Sequence, residues 1–185
     1  MSGLMACCPA PAFTLTDQLG KAVSLEQLRG SVVVLTFFNS VCNDLCRIMD
    51  EEMSGALAEL GPSAGRVVYV AVNTDPYVTS VSASSPAVIQ ADLPKTATSY
   101  VLGGSLAQLD RVWKAYGITV NGDPTTGQVA HTDALYFISP TGKVEFKAVP
   151  YANETTTGTY SLAKGSIQRW STGIATYVRK TLGAA

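Results

Sequence analysis

Ser31-Val-Val-Val-Leu-Thr-Phe-Phe-Asn-Ser-Val-Cys-Asn-Asp-Leu-Cys-Arg-Ile-Met-Asp50 decides the fold. Its first half is a run of Val, Leu and Phe without polar alternation, the pattern of a strand buried on both faces. Its second half changes period. Leu45, Ile48, Met49, Met53, Leu57 and Leu60 recur at spacings of three and four, which predicts a helix over 43–60 ended by Gly61-Pro62. Residues 66–72 (Arg-Val-Val-Tyr-Val-Ala-Val) repeat the buried-strand pattern. Together these make a β-α-β unit, two parallel strands joined by a crossover that is expected to be right-handed. Cys42 and Cys46 fall on its strand-to-helix junction.

Working outward, residues 13–16 and 22–24 flank Asp17-Gln-Leu-Gly-Lys21 and read as an opening β-hairpin. Ser24 can cap a short helical turn through Leu28, ended by Gly30. Downstream, 76–99 is rich in Ser and Ala and reads as a surface excursion with at most one irregular helix after Pro86. Leu106, Leu109, Val112, Trp113 and Tyr116 describe an amphipathic helix opened by Ser105 and closed by Gly117. Residues 121–127 (Asn-Gly-Asp-Pro-Thr-Thr-Gly) read as a turn or exposed loop. Residues 134–138 and 143–149 form a hairpin across Ser139-Pro-Thr-Gly142, and Ile167, Trp170, Ile174 and Val178 mark a terminal helix. The expected class is α/β: a thioredoxin-like central mixed β-sheet flanked by helices, with an N-terminal β-hairpin.

The length of 185 residues suits one domain, here 10–185, preceded by a tail or tether remnant over 1–9. With 46% hydrophobic and 15% charged residues, charge-rich disorder is excluded. Thirteen Lys and Arg against 14 Asp and Glu leave a net charge of −1, so no broad basic field exists to hold nucleic acid. The longest apolar run, 32–38, falls far short of the ~20 residues that cross a bilayer. No Lys or Arg precedes Lys21, so the charged start of a signal peptide is not seen. Leu4-Met5-Ala6-Cys7 loosely matches the residues that lead into a lipid-modified bacterial cysteine, and a trimmed start explains the same stretch.

The chemistry concentrates at Cys42-Asn-Asp-Leu-Cys46. A helix N-terminus offers unpaired N–H groups and a positive dipole end, which favour a thiolate. Residues four apart on a helix lie ~6 Å from each other on one face, so both sulfurs can address one atom. Such a pair is poised as a dithiol, a disulfide or a two-sulfur metal clamp, and Asp44 opposes the thiolate slightly. The single histidine, His131, stands in Val129-Ala-His-Thr-Asp133, just before the 134–138 strand. In a thioredoxin-like sheet that strand lies beside the one delivering the cysteines. Two sulfurs and an imidazole suit Cu(I) and, with a further ligand, Cu(II). Structural zinc wants four protein ligands, which the chain does not obviously supply. The blander readings are inert core thiols and a packed histidine. Met49, Met53, Trp113 and Tyr116 read as core, Asn153-Glu-Thr155 as an accidental glycosylation match, and Cys7-Cys8 as leftovers or a second copper-binding pair.

At these residues the sequence resembles the SCO/SenC family of copper-binding, thioredoxin-like proteins. The resemblance runs from about Ala10 to Gly142. It is carried by Ala12-Phe-Thr-Leu-Thr-Asp-Gln18, Ser24-Leu-Glu-Gln-Leu-Arg-Gly30, Val33-Val-Leu-Thr-Phe-Phe38, Cys42-x-x-x-Cys46, Asn73-Thr-Asp-Pro76, Val112-Trp-Lys-Ala-Tyr-Gly-Ile118 and Ala130-His-Thr132. It implies Cys42, Cys46 and His131 as copper ligands. It also implies a metallochaperone rather than an enzyme, one that delivers Cu(I) or Cu(II) to the CuA site of cytochrome c oxidase. The partner implied is the copper-bearing oxidase subunit or another copper chaperone. The implied location is extracytoplasmic, at the bacterial periplasm or outer face of the cell membrane, held by a tether outside this chain; the chain itself is expected to be a monomer. Two positions depart from the family pattern: Arg47 stands where a proline is common after the second cysteine, and Tyr77-Val-Thr79 where many members carry a second acidic residue.

Two other functions compete. A dedicated thiol–disulfide oxidoreductase would use the redox pair Cys42 and Cys46 on the cysteines of a copper-site partner. Such reductases generally use Cys-x-x-Cys opposite a cis-proline, at a position that here looks like Asp133. A peroxidase of the peroxiredoxin type needs Pro-x-x-x-Thr-x-x-Cys, and the residues before Cys42 lack it.

Overall fold

The computed structural model describes residues 4–5, 8–39, 45–82, 97–150, 153–154, 160–161 and 163–183. After a short strand β1 (Leu4–Met5), the expected hairpin is formed by β2 (Thr14–Asp17) and β3 (Ala22–Ser24). Ser24 then caps a 3-10 turn over Leu25–Leu28. Its hydroxyl accepts from Gln27 N while the Gln27 side chain accepts from Ser24 N, a reciprocal capping box. Gly30 turns the chain at φ 91° into β4 (Val32–Phe38), buried at every position. Helix α1 (Leu45–Leu60) follows, then a 3-10 turn over Gly61–Arg66 and β5 (Val67–Asn73), parallel to β4 from Val32↔Val67 to Phe38↔Asn73.

Several strands were not expected, among them one inside the main sheet. Thr98–Gly103 forms β6, parallel to β5 and antiparallel to β2, so the end of the supposed surface excursion is sheet. Only its second half, Val101-Leu-Gly103, is buried, which is why an apolar run did not announce it. Residues 83–96, the rest of that excursion, lie outside the described residues. Helix α2 (Leu106–Ala115) starts at a second capping box, Ser105 with Gln108, and its Leu106 is 49% exposed rather than part of the apolar stripe. The expected 121–127 loop is the tip of a second ribbon, β7 (Val120–Gly122) and β8 (Val129–His131). Then come the hairpin β9 (Leu135–Ile138) and β10 (Val144–Ala148), a two-stranded ribbon of β11 (Asn153–Glu154) and β12 (Tyr160–Ser161), and helix α3 (Ser166–Gly183).

The main sheet has the order β1-β10-β9-β4-β5-β6-β2-β3. Alternation in the central strands divides the core into two layers. Val33, Leu35 and Phe37 meet Val70, Tyr136 and the α2 residues Leu109, Val112 and Trp113. On the other face Val32, Val34 and Phe38 meet Met49, Met53 and Leu57 of α1, with Ile174 and Val178 of α3. Met49, Met53, Trp113 and Tyr116 are thus core, as expected. This is a mixed sheet with helices on both faces, the expected class.

Candidate metal centre

The carboxyl ends of the parallel strands β4 and β5 are held together by a buried polar cluster. Thr74 donates from both its N–H and its hydroxyl to the Phe38 carbonyl, at 2.7 and 2.8 Å. Trp113 Nε1–H donates to the Asn73 carbonyl at 2.9 Å. The Asn73 side chain accepts from Asp75 N at 2.9 Å and donates to the Val78 carbonyl at 2.6 Å. Asp75 Oδ1 in turn accepts from the N–H groups of Tyr77 and Val78, at 2.8 and 2.9 Å. Asn73, Thr74 and Asp75 are all buried, so these bonds replace water that the groups would otherwise lose. Their effect is to fix the point from which the chain leaves β4 toward the cysteines.

β9 runs antiparallel beside β4, pairing Val33 with Ile138 and Thr36 with Leu135. Continuing that register sets Asp133 level with Phe38, so the segment before β9 lies at the carboxyl end of β4. His131 therefore belongs to the end of the sheet from which α1 departs. Helix α1 carries Cys46 in its first turn. Cys42, and the side-chain position of Cys46, lie outside the described residues, so the expected three-ligand set is described here through His131 and the elements on either side.

His131 is the last residue of β8, its side chain 10% exposed. Its Nδ1 lies 3.3 Å from the Thr132 carbonyl and 3.6 Å from Asp133 Oδ1. Both neighbours are acceptors, which places the proton of the neutral ring on Nδ1 and leaves the Nε2 lone pair for a metal ion. This is the usual arrangement of a ligating histidine, oriented by a carbonyl or carboxylate on its other nitrogen. The base of the ribbon is closed by Thr132 N donating to the Thr119 carbonyl at 3.0 Å and Thr119 N to the Thr132 hydroxyl at 3.2 Å, which continue the β7–β8 ladder one step beyond the Val120–His131 pair.

Sequence reasoning noticed Asp133 only as the counterpart of a reductase proline; the structure makes it the carboxylate beside the imidazole. Burial pushes the Asp133 carboxyl above its ordinary range, and the charge of His131 pulls the other way. The spacing His131-x-Asp133 was the available signal, and it is too common a pattern to carry weight alone. Among the described residues, no group of three His, Cys, Asp or Glu side chains gathers as a metal site.

The family model described as SCO1/SenC matches residues 9–164. The chain belongs to the SCO1/SenC family. A curated family relative, the SCO1 protein homolog of Bacillus subtilis (strain 168), is 26% identical over 133 residues, spanning 71% of this chain and 69% of that protein. Among solved structures, Bradyrhizobium japonicum ScoI with copper bound is 23% identical, covers 95% of this chain and 100% of its own, and superposes with a TM-score of 0.68. A SCO1/SenC family lipoprotein of Bacillus anthracis str. Ames is 23% identical over 97% of both chains, with a TM-score of 0.71. These likenesses establish the thioredoxin-like SCO fold across nearly the whole chain. No helix among the described residues is long and apolar enough to cross a membrane.

Proposed function

We propose that this chain binds copper through Cys42, Cys46 and His131 and hands it to a partner protein. The observation that carries the reading is His131: the molecule's single histidine, at the sheet end where α1 begins, with acceptors beside its Nδ1 that turn the lone pair to Nε2. Two thiolates at a helix start and one imidazole form a soft set that favours Cu(I), and Cu(II) with one more ligand. The ion is cargo. Release proceeds by ligand exchange, as a partner's thiolate or imidazole displaces His131 or one cysteine. The copper-bound ScoI relative supports copper as the metal.

Family membership supports the rest of the reading. The partner is the copper-bearing subunit of cytochrome c oxidase, with the CuA site as destination, or another copper chaperone. The working location is the extracytoplasmic side of a bacterial membrane, through a tether, in keeping with the lipoprotein relative. Residues 10–185 act as one domain, monomeric.

The test is titration of the reduced protein with Cu(I) and Cu(II), followed by absorption, with Cys42→Ala, Cys46→Ala and His131→Ala alongside. One copper per chain is expected. Each cysteine variant should lose the thiolate-to-copper bands, and His131→Ala should weaken Cu(II) binding and shift its spectrum. An unchanged titration and spectrum in His131→Ala rejects the assignment. The competing reading, a thiol–disulfide oxidoreductase using Cys42 and Cys46, predicts instead that insulin reduction approaches the turnover of true thioredoxins and is indifferent to His131→Ala. Copper binding itself requires both cysteines reduced, so the pair's redox state gates loading in either case.

A further inference from the structure

The ribbon that bears His131 meets the rest of the molecule at Gly122, where the Tyr77 ring occupies the place a Cβ would take. In the β7–β8 ladder Val120 pairs with His131 and Gly122 with Val129. Paired residues project to the same side, and alternation returns every second residue to it, so Val120, Gly122, Val129 and His131 share one face. A Cβ built at Gly122 would stand 2.6 Å from the Tyr77 hydroxyl oxygen and 2.9 Å from its ring. Gly122 is not one of the positive-φ glycines, so its backbone does not demand glycine. The space does: any side chain there would displace the Tyr77 ring.

Tyr77 is itself held at its root. Its N–H is bonded to Asp75 Oδ1, the next residue is bonded through both N–H and carbonyl, and the Thr79 carbonyl accepts from Gly104 N at 3.0 Å. Gly103 admits no Cβ either, which would lie 2.5 Å from that same Thr79 carbonyl oxygen. The 75–80 segment is thereby fastened to the ends of β5 and β6. Yet Tyr77 is 47% exposed, so its ring is not a core residue. It is a half-exposed aromatic on a fixed stem, seated in the one gap on the His131 face of the ribbon.

We propose that Tyr77 is a positioning residue for His131: its ring, seated on Gly122, sets the height of the β7–β8 ribbon over the sheet end and so the approach of the imidazole to the metal. The proposal rests on the copper reading for its purpose, though the clamp itself is measurable without metal. Because the chain has a single histidine, the imaging of its imidazole C–H signals by NMR reports ribbon position with no overlap.

The experiment uses the full reduced chain, metal-free and then titrated with Cu(II), in four forms: unmodified, Gly122→Ala, Tyr77→Ala and both together. Gly122→Ala should shift the His131 ring signals and weaken Cu(II) binding about tenfold or more, the usual cost of disturbing a ligand's support. In the Tyr77→Ala background the three atoms nearest that methyl are gone, so Gly122→Ala should move neither quantity. Tyr77→Phe in the Gly122→Ala chain removes the nearest atom and should return the ring signals part of the way. Ring signals unmoved by Gly122→Ala, or moved equally in both backgrounds, overturn the clamp. An unmodified chain that takes up no copper overturns the copper reading instead, with the ring signals still deciding the clamp.

Discussion

Replacing Glu52 by Gln should stabilise the protein, and do so only as pH rises. Glu52 lies on α1 beside Met53, on the side that packs into the core, and is 2% exposed. Burial, helped by the like charge of Glu51, pushes its pKa from 4.5 up to about 8. The folded protein therefore keeps a proton that the unfolded chain gives up above pH 4.5. Stability is full below that value, falls as pH rises, and levels off once the folded group ionises near pH 8. At ~1.4 kcal/mol per unit, the stretch from 4.5 to neutrality costs about 3 kcal/mol at pH 7. Glutamine has the shape of the protonated acid and no proton to lose, so the variant escapes that cost. Urea unfolding of the reduced protein, followed by far-UV circular dichroism from pH 4.5 to 8, reads it directly. The two proteins should agree near pH 4.5 and diverge to about 2–3 kcal/mol by pH 7, the variant being the more stable. Asp133, raised in the same direction, adds its slope to both proteins and cancels in the difference. Parallel curves, or a variant less stable at pH 8, would refute the reasoning.

Thr36 is buried in β4 and its hydroxyl has no hydrogen-bond partner among the described residues. Thr36→Val should raise stability by about 1 kcal/mol, seen as a higher urea midpoint, because it removes a polar group that is dehydrated without compensation. Gly55 on α1 faces Ser171 on α3, where an added Cβ would collide with the serine hydroxyl. Gly55→Ala should cost about 1–3 kcal/mol despite alanine's better helix propensity, and Ser171→Gly in the same chain should restore the thermal midpoint.

How much of this could be read from residues alone depended on which force wrote the structure. β4 and β5 were legible because strands covered on both faces must be apolar at nearly every position, and 32–38 and 67–72 are. α1 and α3 were legible because each buries one stripe against the sheet. β6 was not: Thr98-Ser-Tyr100 is only partly covered, and the segment is a strand because β5 and β2 offer it ladders on both sides. No local pattern encodes that. The β7–β8 ribbon escaped for the opposite reason, since 121–128 is exposed throughout and leaves no periodic signature. His131 stood out by being unique. Asp133 and Tyr77 did not, because their roles arise from distances that only the fold creates.

That division has a consequence for metal transfer on the copper-chaperone reading. Cys46 stands in the first turn of a 16-residue helix, packed along the sheet and against α3, with Glu59 bonded to both Thr172 and Arg179. Moving that helix would open the core layer built on Met53, Leu57 and Ile174. The histidine side rests on two strands of three residues each, half-buried or exposed along their length, which meet the 75–80 segment at the Tyr77–Gly122 contact. Displacing the ribbon uncovers little buried surface, whereas shifting the helix exposes core side chains. On the copper-chaperone reading, exchange with a partner therefore begins at His131, on the less buried of the two supports. The same asymmetry explains why a clamp on the ribbon, rather than on the helix, is where this fold can adjust how tightly the cargo is held.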